Sequence, residues 1–384
     1  MLLAGCPRAP LDETASPVDS ADSGLPAVQT YAVFAWPSRA MNPMDPGYAT
    51  ASLRPPAVGI RAQVVAQGPS PTLVQGGLSL RYAPRDSGAI AGATDFWEQA
   101  PALLGDAAPA QGVGLAGLGL QGEMSASGDG FAADAIPVVP TQGIGHEGPF
   151  PLLDLTLVDG DAQPLASGVV VAPSSWDLGC SLCHGSDYAA DILVQHDARH
   201  DTTHVDEAPV RCGRCHAQPE LGWAGDGQAP MLATALHRAH AERLGELEGQ
   251  ISVPCLACHP GPDTPFYRGN HTERDTTCTD CHGQIEDLTA EGRTPWQDLP
   301  RCGDCHQTPG MDYEQPGTAY RDSVGHGGLS CAACPHSPHA LYSSELDADN
   351  TQNIELQGYA GVISTCRVCH DPNPGGLFPH VVEP

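Results

Sequence analysis

Cys180-Ser181-Leu182-Cys183-His184 is the first of six stretches in which two cysteines, three residues apart, are followed at once by histidine. The others are Cys212-Gly213-Arg214-Cys215-His216, Cys255-Leu256-Ala257-Cys258-His259, Cys278-Thr279-Asp280-Cys281-His282, Cys302-Gly303-Asp304-Cys305-His306 and Cys366-Arg367-Val368-Cys369-His370. A seventh pair, Cys331 and Cys334, is followed by Pro335 and only then by His336. The seven pairs use all but one of the 15 cysteines, the exception being Cys6. Cysteines at i and i+3 of a helical turn share a face. Each pair can therefore bond two neighbouring points of one rigid group, with the next residue turned toward that group's centre.

Cys-x-x-Cys-His is the attachment signature of c-type haem. Two thioethers hold the porphyrin and the histidine binds iron axially. Zinc sites join two Cys-x-x-Cys pairs, or one pair with spaced histidines, and do not require His after every second Cys. Disulfides belong to oxidising compartments and carry no such rule either. The repeats therefore predict haem c, six copies with a seventh open, and a C-terminal half that carries electrons.

Counting His336, the motif histidines leave ten of the 17: His146, His196, His200, His204, His237, His240, His271, His326, His339 and His380. Nine of the ten fall in the cysteine-rich region. Bis-histidine ligation explains the clustering, because each low-spin haem needs a second imidazole. The candidates for that role are His196, His200, His237, His240, His271, His326, His339 and His380, with His204 and His146 in reserve. Methionine is the other option, but only Met231 and Met311 lie in the region. The sequence does not say which distal histidine serves which site.

Lys+Arg is 17 against Asp+Glu 46, a formal net charge of −29, and every basic residue is arginine. Nucleic acid is excluded as a partner, because its affinity rests on basic contacts to phosphate. The charge suits a solvated acidic surface or docking to basic redox partner proteins, such as other cytochromes. No stretch of about 18 apolar residues exists to cross a membrane. Met1-Leu2-Leu3-Ala4-Gly5-Cys6 is similar to a bacterial lipobox, in which the cysteine is lipidated. The apolar run before Cys6 is shorter than the roughly 7–15 residues of a signal peptide. That implies a start placed late or a trimmed chain; a chance cysteine is the alternative. With a lipid on Cys6 the protein is anchored to a membrane at the periplasmic or outer, cell-surface side.

Three regions follow from composition. Residues 1–27 read as a lipobox-like N-terminus and a Pro/Asp/Ser/Ala tether. Residues 28–172 hold no cysteine and read as a β-sandwich-like domain. Candidate strands are Val28–Trp36, Val58–Val65, Leu78–Tyr82, Ile136–Val139, Leu152–Val158 and Gly168–Ala172, the last two joined by a turn at Asp159-Gly160-Asp161. Gly112–Gly122 reads as a loop, and Trp97 as core. Residues 173–384 read as a multihaem domain of short helices and loops with little regular sheet. At one motif per roughly thirty residues, the porphyrins must supply most of its core. One longer helix is legible at Met231–Leu247, with His237 and His240 at i and i+3 on one side. His196 and His200 stand at i and i+4, with His204 one turn further.

The C-terminal half resembles a family of bacterial multihaem c-type cytochromes. The matching stretches are Ile192-Leu193 through His196-Asp197 to His200; Pro209-Val210-Arg211-Cys212; Cys278 to Gly283; Pro300-Arg301-Cys302-Gly303; Gly325-His326-Gly327-Gly328-Leu329; and Ser337-Pro338-His339-Ala340. Weaker matches are Asp95-Phe96-Trp97, Gly117 to Gly122 and Ile136-Pro137. The resemblance implies periplasmic or surface electron transfer without one settled substrate. The family pattern would read Cys-x-x-Cys-His-Gly-Ser-Pro-His where this chain has Cys331-Ala332-Ala333-Cys334-Pro335-His336-Ser337-Pro338-His339. Either His336 swings in as the ligand, or the haem is held unusually, or the site is empty. The alternative to a carrier is a reductase of a small oxyanion with one open haem. The multihaem nitrite reductases often place a lysine on that haem, and this chain has none. A filament-forming structural role is the third reading.

Overall fold

The computed structural model describes residues 29–85, 94–140, 150–244, 253–260, 267–307, 314–335, 339 and 347–375. Cys6, the tether at 7–27, His146, the end of the expected Met231–Leu247 helix, Met311, His336 and His380 lie outside them.

Two antiparallel sheets make up the N-terminal region. The first runs in the order Tyr31–Pro37, Val58–Ala66, Gly130–Ile136, Ser125–Ser127, with Thr72–Leu73 added to Val58–Ala66. The second runs Pro164–Val171, Leu152–Val158, Ser79–Pro84, Gly122–Glu123. In the Leu152–Val158 strand every second residue turns inward: Leu153, Leu155 and Leu157 are buried, while Asp154 and Thr156 are not. This is the period-2 pattern of a sheet with one face on a core. Those leucines meet Val33, Ile60, Val64, Phe131 and Ile136 of the facing sheet in one cluster. Each such side chain contributes about 1.5–3 kcal/mol on burial.

The Tyr31–Pro37 strand differs, because it has no polar face. Val33 and Ala35 enter the cluster between the sheets. Ala32, Phe34 and Trp36 point the other way and pack with Ala332, Ala333, Ile363 and Val368. One strand thus serves two cores, and the sandwich becomes a wall of the cysteine-rich half. Parallel pairings reinforce the seam: Ser174–Ser175 with Asn42–Pro43, and Val210–Arg211 with Ala51–Ser52. A backbone bridge joins Gly68 to His370.

Beyond Ala172 only eight apolar side chains are buried among the described residues. The backbone there is 3-10 turns and short helices, with two longer helices of 13 residues, Tyr188–His200 and Leu232–Leu244. The Leu232–Leu244 helix lies inside the expected Met231–Leu247 span. Three expectations need correction. The strand expected at Ile136–Val139 ends at Ile136 and begins at Gly130, since Pro137 has no N–H for the ladder. The last strand starts at Pro164 rather than Gly168 and stops at Val171. Phe96–Leu104 is a helix that the sequence reading lacked, burying Phe96, Trp97 and Ala100 against Tyr48.

Candidate haem-binding sites

The six complete motifs share one backbone device. After the second cysteine the chain stays tightly turned, and the histidine N–H donates to the carbonyl of the first cysteine. The bonds are His184 to Cys180 at 3.0 Å, His216 to Cys212 at 3.0 Å, His259 to Cys255 at 2.9 Å, His306 to Cys302 at 2.9 Å and His370 to Cys366 at 2.8 Å. His282 sits in the Cys278–His282 helix. The turn brings the imidazole round to the side of the thiols, over the cavity.

Each of these six imidazoles faces a second one, and in each case the partner is a histidine outside the motifs. The ring centroids are 6.2 Å apart for His184 and His240, 6.3 Å for His216 and His196, and 5.7 Å for His259 and His237. They are 6.1 Å apart for His282 and His339, 6.2 Å for His306 and His271, and 6.1 Å for His370 and His326. A metal–imidazole nitrogen bond is about 2.0–2.1 Å. Since a centroid lies roughly 1 Å behind its nitrogen, two rings ligating one ion from opposite sides have centroids roughly 6 Å apart. Two of the pairs are nearly parallel, His259 with His237 at 16° and His282 with His339 at 9°. The pairs thus have the separation of axial ligands on one metal.

Hydrogen bonds fix which nitrogen is available. His237 and His240 each place Nδ1 2.7 Å from a helix carbonyl four residues back, Ala233 O and Leu236 O. His216 Nδ1 is 2.8 Å from Pro230 O. A carbonyl only accepts, so Nδ1 carries the proton and Nε2 keeps its lone pair. His184 Nδ1 meets the Asp191 carboxylate at 2.6 Å to the same effect. At His196 the inference takes one more step. Thr202 donates its hydroxyl to Asp197 at 2.6 Å, so it accepts from His196 Nδ1 at 2.9 Å. Burial also holds rings in the neutral form that a metal requires: it is the main cause that pushes His259 and His339 down to about 4.

All fourteen motif cysteines and every described histidine line a single cavity of about 3290 Å³. That is several times the ~300–1,000 Å³ of an ordinary small-ligand pocket. Protein interiors are close-packed, so a hollow this large has the dimensions of several resident groups. Among the described residues no three His, Cys, Asp or Glu side chains converge as a zinc site needs. Pairs of imidazoles beside pairs of thiols suit an ion whose remaining donors come from a planar macrocycle. The residues fit haem c.

The other candidate histidines are placed differently. His200 and His204 lie against His196, with centroids 4.8 and 4.9 Å away, beside the pair rather than opposite a motif ring. His200 is exposed. His336, His380 and His146 fall outside the described residues. At the seventh turn Pro335 removes both the imidazole and the backbone donor. The Cys331 carbonyl, which in the other motifs receives the histidine N–H, takes the Tyr320 hydroxyl at 3.0 Å instead. Asn353 donates to Cys334 O and Gln352 to Ala333 O. Burial drives the Cys334 thiol up to about 11.

The sites also fall into a spatial order. Cys180 and Cys212 both lie near the buried Asp45. Cys258 neighbours Cys180 and Cys183. Cys255 neighbours Cys278, Cys281 neighbours Cys305, Cys302 neighbours Cys331, and Cys334 neighbours Cys369. Asp191, Thr202, Asp197 and Asp45 support the sites and escaped the sequence reading. Only Asp191, on the helix after the first motif, could have been guessed. Comparison with protein-family models, curated proteins and solved structures finds no match to this chain.

Proposed function

We propose that this protein is an electron carrier holding six bis-histidine c-type haems, one at each Cys-x-x-Cys-His turn, on the periplasmic side of a membrane or at the cell surface. The observation that carries the reading is the imidazole pair, repeated six times at 5.7–6.3 Å between one motif and one non-motif ring. The cysteine pairs would hold the porphyrins, with His184 and His240, His216 and His196, His259 and His237, His282 and His339, His306 and His271, and His370 and His326 on the irons. When bound, each haem supplies one-electron iron chemistry whose potential follows its ligands, their hydrogen bonds and its burial. The chain's own part is to keep Nε2 free on His184, His196, His216, His237 and His240, to shed water from the cavity and to set neighbouring sites side by side. Two imidazoles on each iron would leave no coordination position for a substrate, which favours a carrier over a reductase. The acidic surface suits a basic redox protein as partner.

Expression with a cytochrome c maturation system tests the reading. The expected result is six haems per chain by pyridine haemochrome and intact mass, with a wholly low-spin oxidised spectrum. A haem-free product would sink it. One high-spin equivalent would move the function to the oxyanion reductase, with the Cys331–Cys334 turn as the place to look.

A further inference from the structure

Twelve of the 17 arginines line the cavity, against seven of the 46 acidic side chains, among the described residues. The charge balance of the whole chain is reversed where the imidazole pairs stand. Such a lining fits a resident group that brings its own negative charges.

One arginine points to where such a charge sits. Arg39 belongs to the sandwich, two residues past the Tyr31–Pro37 strand. Its Nη2 donates to Ala57 O at 2.6 Å. Its Nη1 is shut off from solvent and has no hydrogen-bond partner among the described residues. Among the described residues no carboxylate pairs with Arg39. Its neighbour Arg54 does not share this state, because Arg54 is bound to Glu220 and lies over the Trp296 ring at 5.9 Å. A buried cation with no carboxylate in contact is costly: burial, aided by Arg54 and only partly offset by the more distant Glu220 and Asp134, weakens the Arg39 guanidinium's hold on its proton, bringing it down to about 9. Arg39 and Arg54 line the same cavity as Cys255, Cys258, His259 and His237, and of these rings Arg54 acts on His259, which ties this cationic corner to that site.

We propose that Arg39 seats a carboxylate of the group held at Cys255 and Cys258, so that the sandwich completes a site otherwise built by the other half of the chain. The proposal rests on the haem reading, since each haem carries two propionate carboxylates. Nη1 and its neighbouring N–H groups form the fork that a carboxylate matches. The positive charge beside the iron favours the reduced state, because reduction makes the centre less positive.

Spectropotentiometry of the haem-loaded protein, wild type against R39Q, is the test. Haem content should stay at six while one midpoint falls, by about tenfold in the reduced-to-oxidised ratio at fixed potential, or 59 mV for one electron. Six unchanged midpoints with six haems present would overturn the Arg39 assignment and leave the haem reading intact; absence of haem from the wild type fails the haem reading instead. Added acetate or phosphate separates a propionate from a free anion. A wild-type midpoint that responds to the added anion, with R39Q unresponsive, places a free anion at Arg39 and refutes the proposal. Should R39Q fail to load haem, R39K keeps the charge and loses the fork. The propionate bending bands in its resonance Raman spectrum should then shift, and unchanged bands would count against the seat.

Discussion

At the scale of single residues, His196 and Asp45 make separable claims. His196 faces His216, whereas His200 and His204 only flank it. H196A should therefore turn one haem high-spin in the EPR spectrum, and H200A should leave all six low-spin. The reverse result would assign the distal role to His200. Asp45 is wholly buried. Its Oδ2 accepts the N–H groups of Leu53 at 2.9 Å and Arg54 at 2.8 Å, while Oδ1 has no partner among the described residues. Burial outweighs those bonds and Arg54, and pushes the carboxyl up to about 7 from its ordinary 3.8. The folded state thus prefers the neutral acid. Its contribution to stability is full below about pH 4 and is lost as pH rises to about 7. The amide that D45N introduces cannot ionise, and its carbonyl can keep the backbone bonds. D45N should gain on wild type by ~2–4 kcal/mol between pH 4 and 8 in denaturant midpoints. A difference independent of pH would mean Asp45 does not titrate in that window.

The Leu232–Leu244 helix is the element with most resting on it, because it carries the two imidazoles that face His184 and His259, the distal ligands of two sites on the proposed reading. His237 and His240 are three residues apart, and each ring is held by the carbonyl four residues back. Proline at 239 would remove an interior helix bond and clash with the preceding turn, costing about 3 kcal/mol, whereas glycine costs about 1 kcal/mol. A239P should remove two low-spin signals together and A239G neither. Loss of one signal alone would show that the helix does not act as a unit. This element was legible in the sequence, because the leucine stripe has a 3.6-residue period and the i, i+3 histidines share a side. The Leu152–Val158 strand was legible for the same kind of reason, an alternation of leucine and polar residues. Phe96–Leu104 escaped because its apolar residues pack on Tyr48, in a separate small cluster, and Pro101 masks its periodicity. The histidine pairs could not be read at all. His282 meets His339 and His326 meets His370 across stretches of irregular chain with no period. Their meeting depends on how that chain wraps a group its own side chains do not replace.

For the whole molecule, the thiol neighbours run Cys180, Cys255, Cys278, Cys302, then the Cys331 turn, then Cys366, and Cys212 joins the Cys180 end through the shared neighbour Asp45. The five sites before that turn form an unbroken run. The Cys366 site, with His370 and His326, lies beyond the turn where Pro335 stands, and it is fastened to the sandwich by the Gly68 bridge and by Gln67 donating to Val368 O at 2.7 Å. If that turn carries no haem, electrons reach the sixth centre only across the width of a missing one. Stopped-flow reduction should then be biphasic, with about one-sixth of the absorbance change in the slower phase and the rest fast. P335H supplies both things the turn lacks, an imidazole and an N–H for the Cys331 carbonyl in place of the Tyr320 hydroxyl. It should add one haem to the intact mass and merge the two phases. A wild-type protein that already holds seven haems, or a slow phase that persists unchanged in a seven-haem P335H, would show that Cys331–Cys334 is not an interruption in the row.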